Sequence, residues 1–196
     1  FRIRRELWDR HLDEAVSAGL KAVSTYVPWA WHEEEEGVFD FDGSSCPEKD
    51  LTGWLRKCRE HGLYAIVKPG PFILAEFRGA GLPGWFLERY GDGVRMHTRR
   101  GVRVMSDGVS LFNSDYLEKV GLWYDQVVPV IRSNEIQAGG SVIMMQVCNE
   151  IGVFSGKQPR QAALKAANRG FTGIRLRERG TKKVHIFEGE RIQVPK

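Results

Sequence analysis

The apolar run GSVIMMQV leads into Cys148, Asn149 and Glu150, which places a carboxamide and a carboxylate side by side where a buried strand would end. Two other runs end alike. KAVSTYVPW delivers Tyr26, Trp29, His32 and Glu33, and LYAIVKPGPF delivers ILAE with Glu76. Rings and carboxylates gathered at strand ends suit work on sugars: a flat ring is an apolar platform for a pyranose face. A carboxyl group takes hydroxyl hydrogen bonds or exchanges a proton with a glycosidic oxygen. Each residue alone has a plainer reading, with Trp29 and Trp31 as core and Glu33 to Glu36 as a solvated acidic turn. Their common position at strand ends favours chemistry.

The elements that must hold these groups alternate along the chain. In RRELWDRHLDEAVSAGL, residues Leu7, Trp8, His11, Leu12, Ala15 and Val16 recur at helical spacing before Gly19, which predicts a helix from about Glu6 to Ala18. DLTGWLRKCREHG is a second amphipathic helix, with Leu51, Trp54, Leu55 and Cys58 inward and Gly62 at its end. SDYLEKVGLWYDQVVPVIRSN is a third. Between them lie the β-branched run KAVSTYVPW, the nearly continuous apolar run LYAIVKPGPF and, last, GSVIMMQVCNE. The order βαβαβ predicts an α/β class with a parallel sheet under helices and functional side chains at the carboxyl ends of its strands.

Composition sets the bounds. The chain has 196 residues and a formal charge of +4, split unevenly: residues 1–152 hold 18 Lys and Arg against 22 Asp and Glu, whereas 153–196 hold 11 against 3. A switch from −4 to +8 implies two regions with different partners, the second one polyanionic. Cys46, Cys58 and Cys148 are widely spaced, with no CxxC pair, so three reduced thiols are expected rather than a disulfide framework or a zinc site. No metal or other cofactor is expected. No run approaches the roughly 20 apolar residues of a membrane helix, and no membrane partner is expected. FRIRRELWDRH lacks a signal core and reads as a start inside a larger domain, with a cytoplasmic location expected.

The basic region has its own pattern. GKQPRQAALKAANRG places Pro159 in a first turn and Gly170 past the end, which predicts a short helix. In GIRLRERGTKKVHIFEGERIQV, Ile174 and Leu176 alternate with Arg175, Arg177 and Arg179, and Gly180 to Lys183 turn the chain into Val184 and Ile186. This is a hairpin whose Arg175, Arg177, Arg179, Lys182 and Lys183 could meet successive phosphates of a nucleic acid. The plainer reading is a solvated charged face.

STYVPWAWHEEEEGVFDFDG, KPGPFILAEFRGAGLPGWF and GGSVIMMQVCNEIG, in that order, resemble the family 35 glycoside hydrolases, the β-galactosidases. The resemblance covers about 1–152. It implies part of a (β/α)8 barrel and a retaining enzyme that removes terminal β-galactose. It further implies Glu150 as general acid and base, Asn149 near the sugar 2-hydroxyl, and Tyr26, Ala75 and Glu76 as galactose contacts. The family's usual Asn and Arg are here Ala30 and Lys68, and Phe72 stands for its Tyr. The family's nucleophile lies on a late strand that this stretch does not contain, so turnover at background is expected.

GVFSGKQPRQAALKAANRG and IRLRERGTKKVHIFEGER resemble the small chromosomal proteins of methanogenic archaea, over about 149–196. That resemblance implies a module that binds and bends double-stranded DNA. The sequence passes from one family to the other across Asn149-Glu150-Ile151-Gly152 with no linker. Two regions are therefore expected, 1–152 and 153–196, as a chimera of two fragments.

Overall fold

Trp8 and Leu12 sit one turn apart and are both buried, which fixes the inward stripe of the first helix. A computed structural model describes residues 2–97, 101 and 109–147, and the backbone of two strands over 173–177 and 184–188. It divides the chain into two compact units, Phe1–Asn149 and Glu150–Lys196.

In the first unit the elements follow as α1 (Trp8–Ser17), β1 (Ala22–Tyr26), the short α2 (Trp29–His32), α3 (Leu51–Glu60), β2 (Tyr64–Gly70), α4 (Gly84–Tyr90), α5 (Ser114–Ser133) and β3 (Val142–Val147). The three main helices and three strands are those the periodicity predicts. Helix α1 is shorter than expected because Arg5–Leu7 form a tighter 3-10 turn. At its far end Gly19, with φ of 80°, supplies the left-handed turn that stops it. Helix α3 begins where the Asp50 carboxylate accepts from the Gly53 amide at 2.7 Å and pairs with Arg5 at 2.8 Å. A side chain at 53 would displace that carboxylate, which favours glycine there. Asn113 caps α5 in the same way, accepting from the Tyr116 amide at 2.9 Å.

The sheet has the order β1-β2-β3, all parallel. This is three strands of a parallel α/β sheet, the arrangement of part of a barrel. Alternation gives it two distinct faces. Ala65, Val67 and Val142 are buried with Leu55, Trp123, Val127 and Ile131 of α3 and α5, and Thr25 accepts from the Trp54 indole at 2.6 Å. These residues define the helix-covered face. The register pairs Ala22 with Tyr64, Ser24 with Ile66, Tyr26 with Lys68 and Ile66 with Met144, so this second set shares the opposite face. That face is open: Tyr64 is 51% exposed and Met144 56%.

The second unit contributes β4 (Gly173–Arg177) and β5 (Val184–Glu188), an antiparallel pair. Arg175 lies opposite Ile186, and Arg177 opposite Val184. Ile174 is paired with Phe187, and Leu176 with His185. The predicted helix over 156–170 lies outside the described residues.

Candidate active site

Parallel strands bring their carboxyl ends to one rim, and in the first unit that rim carries Tyr26, Lys68 and the segment after Gly70. Tyr26 and Lys68 are paired across β1 and β2, and the Lys68 ammonium stands 4.8 Å from the centre of the Tyr26 ring. Helix α5 fixes this end of β2 through its backbone: the Trp123 indole donates to the Pro69 carbonyl at 2.9 Å and the Tyr124 hydroxyl to the Gly70 carbonyl at 2.7 Å.

Beyond β2 the backbone turns through three consecutive non-glycine residues in the left-handed region, Leu74, Ala75 and Glu76, with φ of 52°, 48° and 48°. Such residues normally occur singly, and each costs about 1–3 kcal/mol. The segment is held by amides of Ile73 and Leu74 donating to the Ala80 carbonyl at 2.9 and 3.3 Å, and by Phe77 donating to Leu74 at 2.8 Å. The strain therefore falls on two of the residues expected at the site. Arg2 joins this segment to Tyr26. Its guanidinium donates to the Ala75 carbonyl and pairs with Glu76 at 3.2 Å, and it lines, with Tyr26, Ser24, Trp8, Trp54 and His32, a cavity of about 290 Å³ beside β1. The Glu76 side chain is otherwise open to solvent, 90% exposed.

The loop after β1 behaves differently from expectation. Glu34, Glu35 and Glu36 are exposed, as a solvated acidic turn requires, but Glu33 is only 4% exposed. Its carboxylate accepts from the Trp29 indole and from the Gly37 amide at 2.8 Å, and its carbonyl accepts from the Trp85 indole at 3.0 Å. Burial pushes the Glu33 carboxyl up, against the opposing pull of these donors. Glu33 is thus a buckle for the loop, with both oxygens engaged. His32 stacks on Phe41 and bonds through Nδ1 to the Asp40 carbonyl at 2.6 Å. Burial lowers its pKa to about 4, so the neutral ring donates and takes no part in proton exchange near neutrality. Burial would raise the Asp40 carboxyl, but donation from Ser45 and the amides of Gly43, Ser45 and Asp42 outweighs it and holds that group well below the usual range.

Of the residues expected at the sugar site, the structure brings Tyr26, Ala75 and Glu76 to one rim. Asn149 and Glu150 lie outside the described residues, two and three positions beyond the end of β3. Arg2 and Lys68 are rim residues that sequence reasoning did not select. Arg2 stands far from any motif, and only the strand pairing reveals that Lys68 faces Tyr26. Among the DNA candidates, Arg175 and Arg177 are on β4, whereas Arg179, Lys182 and Lys183 lie outside the described residues. Among the described residues no cluster of His, Cys, Asp and Glu is gathered that could hold a metal. Cys46 and Cys58 are free thiols, and burial raises Cys58 to about 12; Cys148 lies outside the described residues. No described helix is long and apolar enough to cross a membrane.

Comparison with known proteins adds two findings. The model of the glycosyl hydrolases family 35 matches residues 1–193. Among individual relatives, a β-1,2-glucosyltransferase of Ignavibacterium album is 43% identical over 160 residues, which is 80% of this chain and 22% of that protein. An exo-β-D-glucosaminidase of Pyrococcus horikoshii is 36% identical over 152 residues, 76% of this chain and 20% of that protein. A mouse β-galactosidase is 34% identical over 154 residues, 79% of this chain and 21% of that protein. The chain spans about a fifth of the length of these relatives.

The second finding is a chromosomal protein, MC1c of Methanothrix soehngenii, 96% identical over 48 residues, 24% of this chain and 53% of that protein. The length equals that of 149–196, into which the family 35 match also extends. Near-identity over 48 residues is a specific match, and its length is that of the basic stretch beginning near the change of charge.

Proposed function

Because the chain belongs to the glycosyl hydrolases family 35, we propose that its first unit recognises a terminal β-galactosyl residue at the open-face rim. In this reading Tyr26, Ala75, Glu76 and Asn149 hold the sugar, and Glu150 is the general acid and base. The observation that carries it is the run of left-handed backbone over Leu74, Ala75 and Glu76, joined by Arg2 to the cavity beside Tyr26. Strain of this kind persists where the surroundings over-determine a functional geometry.

The same rim supports binding without turnover. Retention needs a second carboxylate about 5–5.5 Å from the acid. Glu33 is buried with both oxygens engaged, and Glu76 is paired with Arg2, so neither is free to attack an anomeric carbon. Acid catalysis by Glu150 alone is worth about 10² to 10⁴ in rate. Galactose is expected to show saturation-transfer signals with the chain that vanish in Tyr26→Ala, while a nitrophenyl β-galactoside is hydrolysed at background. Loss-free signals in Tyr26→Ala would remove the site from this rim. Robust turnover abolished by Glu150→Gln would instead mean that a nucleophile is present.

The 96% identity to a chromosomal protein favours a second reading for the second unit: sequence-independent binding of double-stranded DNA through Arg175, Arg177, Arg179, Lys182 and Lys183. Five phosphate contacts give a slope of log affinity against log salt of roughly −4, with dissociation constants of about 10⁻⁴ to 10⁻⁶ M near physiological salt. Replacing Arg175, Arg177 and Arg179 with Ala should remove most of the slope. A gel-shift titration at low salt without a complex would reduce the region to a charged surface.

A further inference from the structure

Among the described residues, Lys68 at the rim has no carboxylate partner, although half-buried cations ordinarily have one. It lies on the open face opposite Tyr26, partly buried, with its ammonium against the Tyr26 ring. The described carboxylates around the cavity beside Tyr26 have other partners: Asp50 pairs with Arg5 and the Gly53 amide, Glu48 accepts from Cys46, and Glu76 pairs with the Arg2 that lines the cavity. Among the described residues Lys68 forms no ion pair. A tyrosine face stabilises an ammonium modestly and leaves its three N–H donors available. Strand pairing and the ring contact together hold those donors at the end of the open face, where Tyr26 offers its ring.

We propose that Lys68 is a specificity-determining residue of the rim, selecting pyranoses that present oxygen acceptors, hydroxyl or carboxylate, and rejecting 2-amino sugars. This rests on the reading of the rim as a sugar site. A fixed ammonium donates to hydroxyl oxygens, attracts a carboxylate, and repels a second ammonium in a setting where water screens it only in part. Discrimination thus comes from a repulsive element as much as from an attractive one.

The test titrates the full chain with galactose, galacturonate and galactosamine at pH 6, where galactosamine carries its charge, following saturation transfer and line width. Wild type should bind galacturonate most tightly and galactosamine on the order of tenfold more weakly than galactose. Lys68→Met should bring the three together, Lys68→Arg should keep the order, and 1 M salt should shrink the differences. Unchanged thermal unfolding of both variants shows that the rim survives the substitution. Galactosamine binding as tightly as galactose in wild type, or an order that persists in Lys68→Met, overturns the assignment of Lys68 while leaving the sugar site standing. Absence of binding by all three sugars overturns both.

Discussion

The covered and open faces of the three-stranded sheet are made by the same strands: alternation sorts β1 and β2, and a register shift in β3 puts Val142 on one face and Met144 on the other. On the covered face Ala65, Val67 and Val142 disappear into a core with Trp123, Val127 and Ile131. On the open face Tyr64 and Met144 meet solvent, and Lys68 lies against the Tyr26 ring. The difference is one of burial: side chains on one face disappear among the helices, and those on the other reach solvent. A substitution should therefore be costly or cheap according to the face its position occupies.

The largest effect expected is from Trp123→Ala. The ring is fully buried, stacks with Trp29 at 6.1 Å and donates to Pro69, so its loss should cost about 3–5 kcal/mol in urea unfolding of the first unit. A cost below about 1 kcal/mol would break the division between the faces.

A smaller effect is expected from acid. His32 is buried with a pKa of about 4, below the roughly 6.5 of an unfolded chain. The unfolded state then binds the extra proton first, so stability falls as pH drops through the window from about 6.5 to 4. The loss due to His32 should reach about 2 kcal/mol by pH 5. His32→Gln should flatten that limb of the pH–stability curve, and an equal slope in the variant would show that the ring is hydrated when folded.

Least of all should come from the open face. Tyr64→Ser together with Met144→Ser should change unfolding free energy by no more than about 0.5 kcal/mol, and should reduce self-association measured by light scattering. A cost comparable to that of Trp123→Ala would show that this face is covered in solution.

Much of this arrangement could be read from the residues. The run LYAIVKPGPF carries its own strand signal, and the apolar stripe of α3 names its inward side. Helix stops at Gly19 and Gly62 needed only local chemistry. Glu33 could not be placed, because four successive glutamates look alike until Trp29, Gly37 and Trp85 are brought round one of them. Lys68 was hidden for a related reason: facing Tyr26 is a property of register between strands about 40 residues apart. The pairing of Arg175 with Ile186 and of Arg177 with Val184 is likewise a matter of register.

Helix α5 grips the rim end of β2 through carbonyl groups, those of Pro69 and Gly70. Carbonyls belong to every amino acid, so the grip is indifferent to the neighbouring side chain. Lys68 can be exchanged for another residue without loosening either bond. Scaffold and palette are thereby decoupled: mutation can try new side chains at the rim on a frame that stays in place, by single substitutions that the fold barely registers.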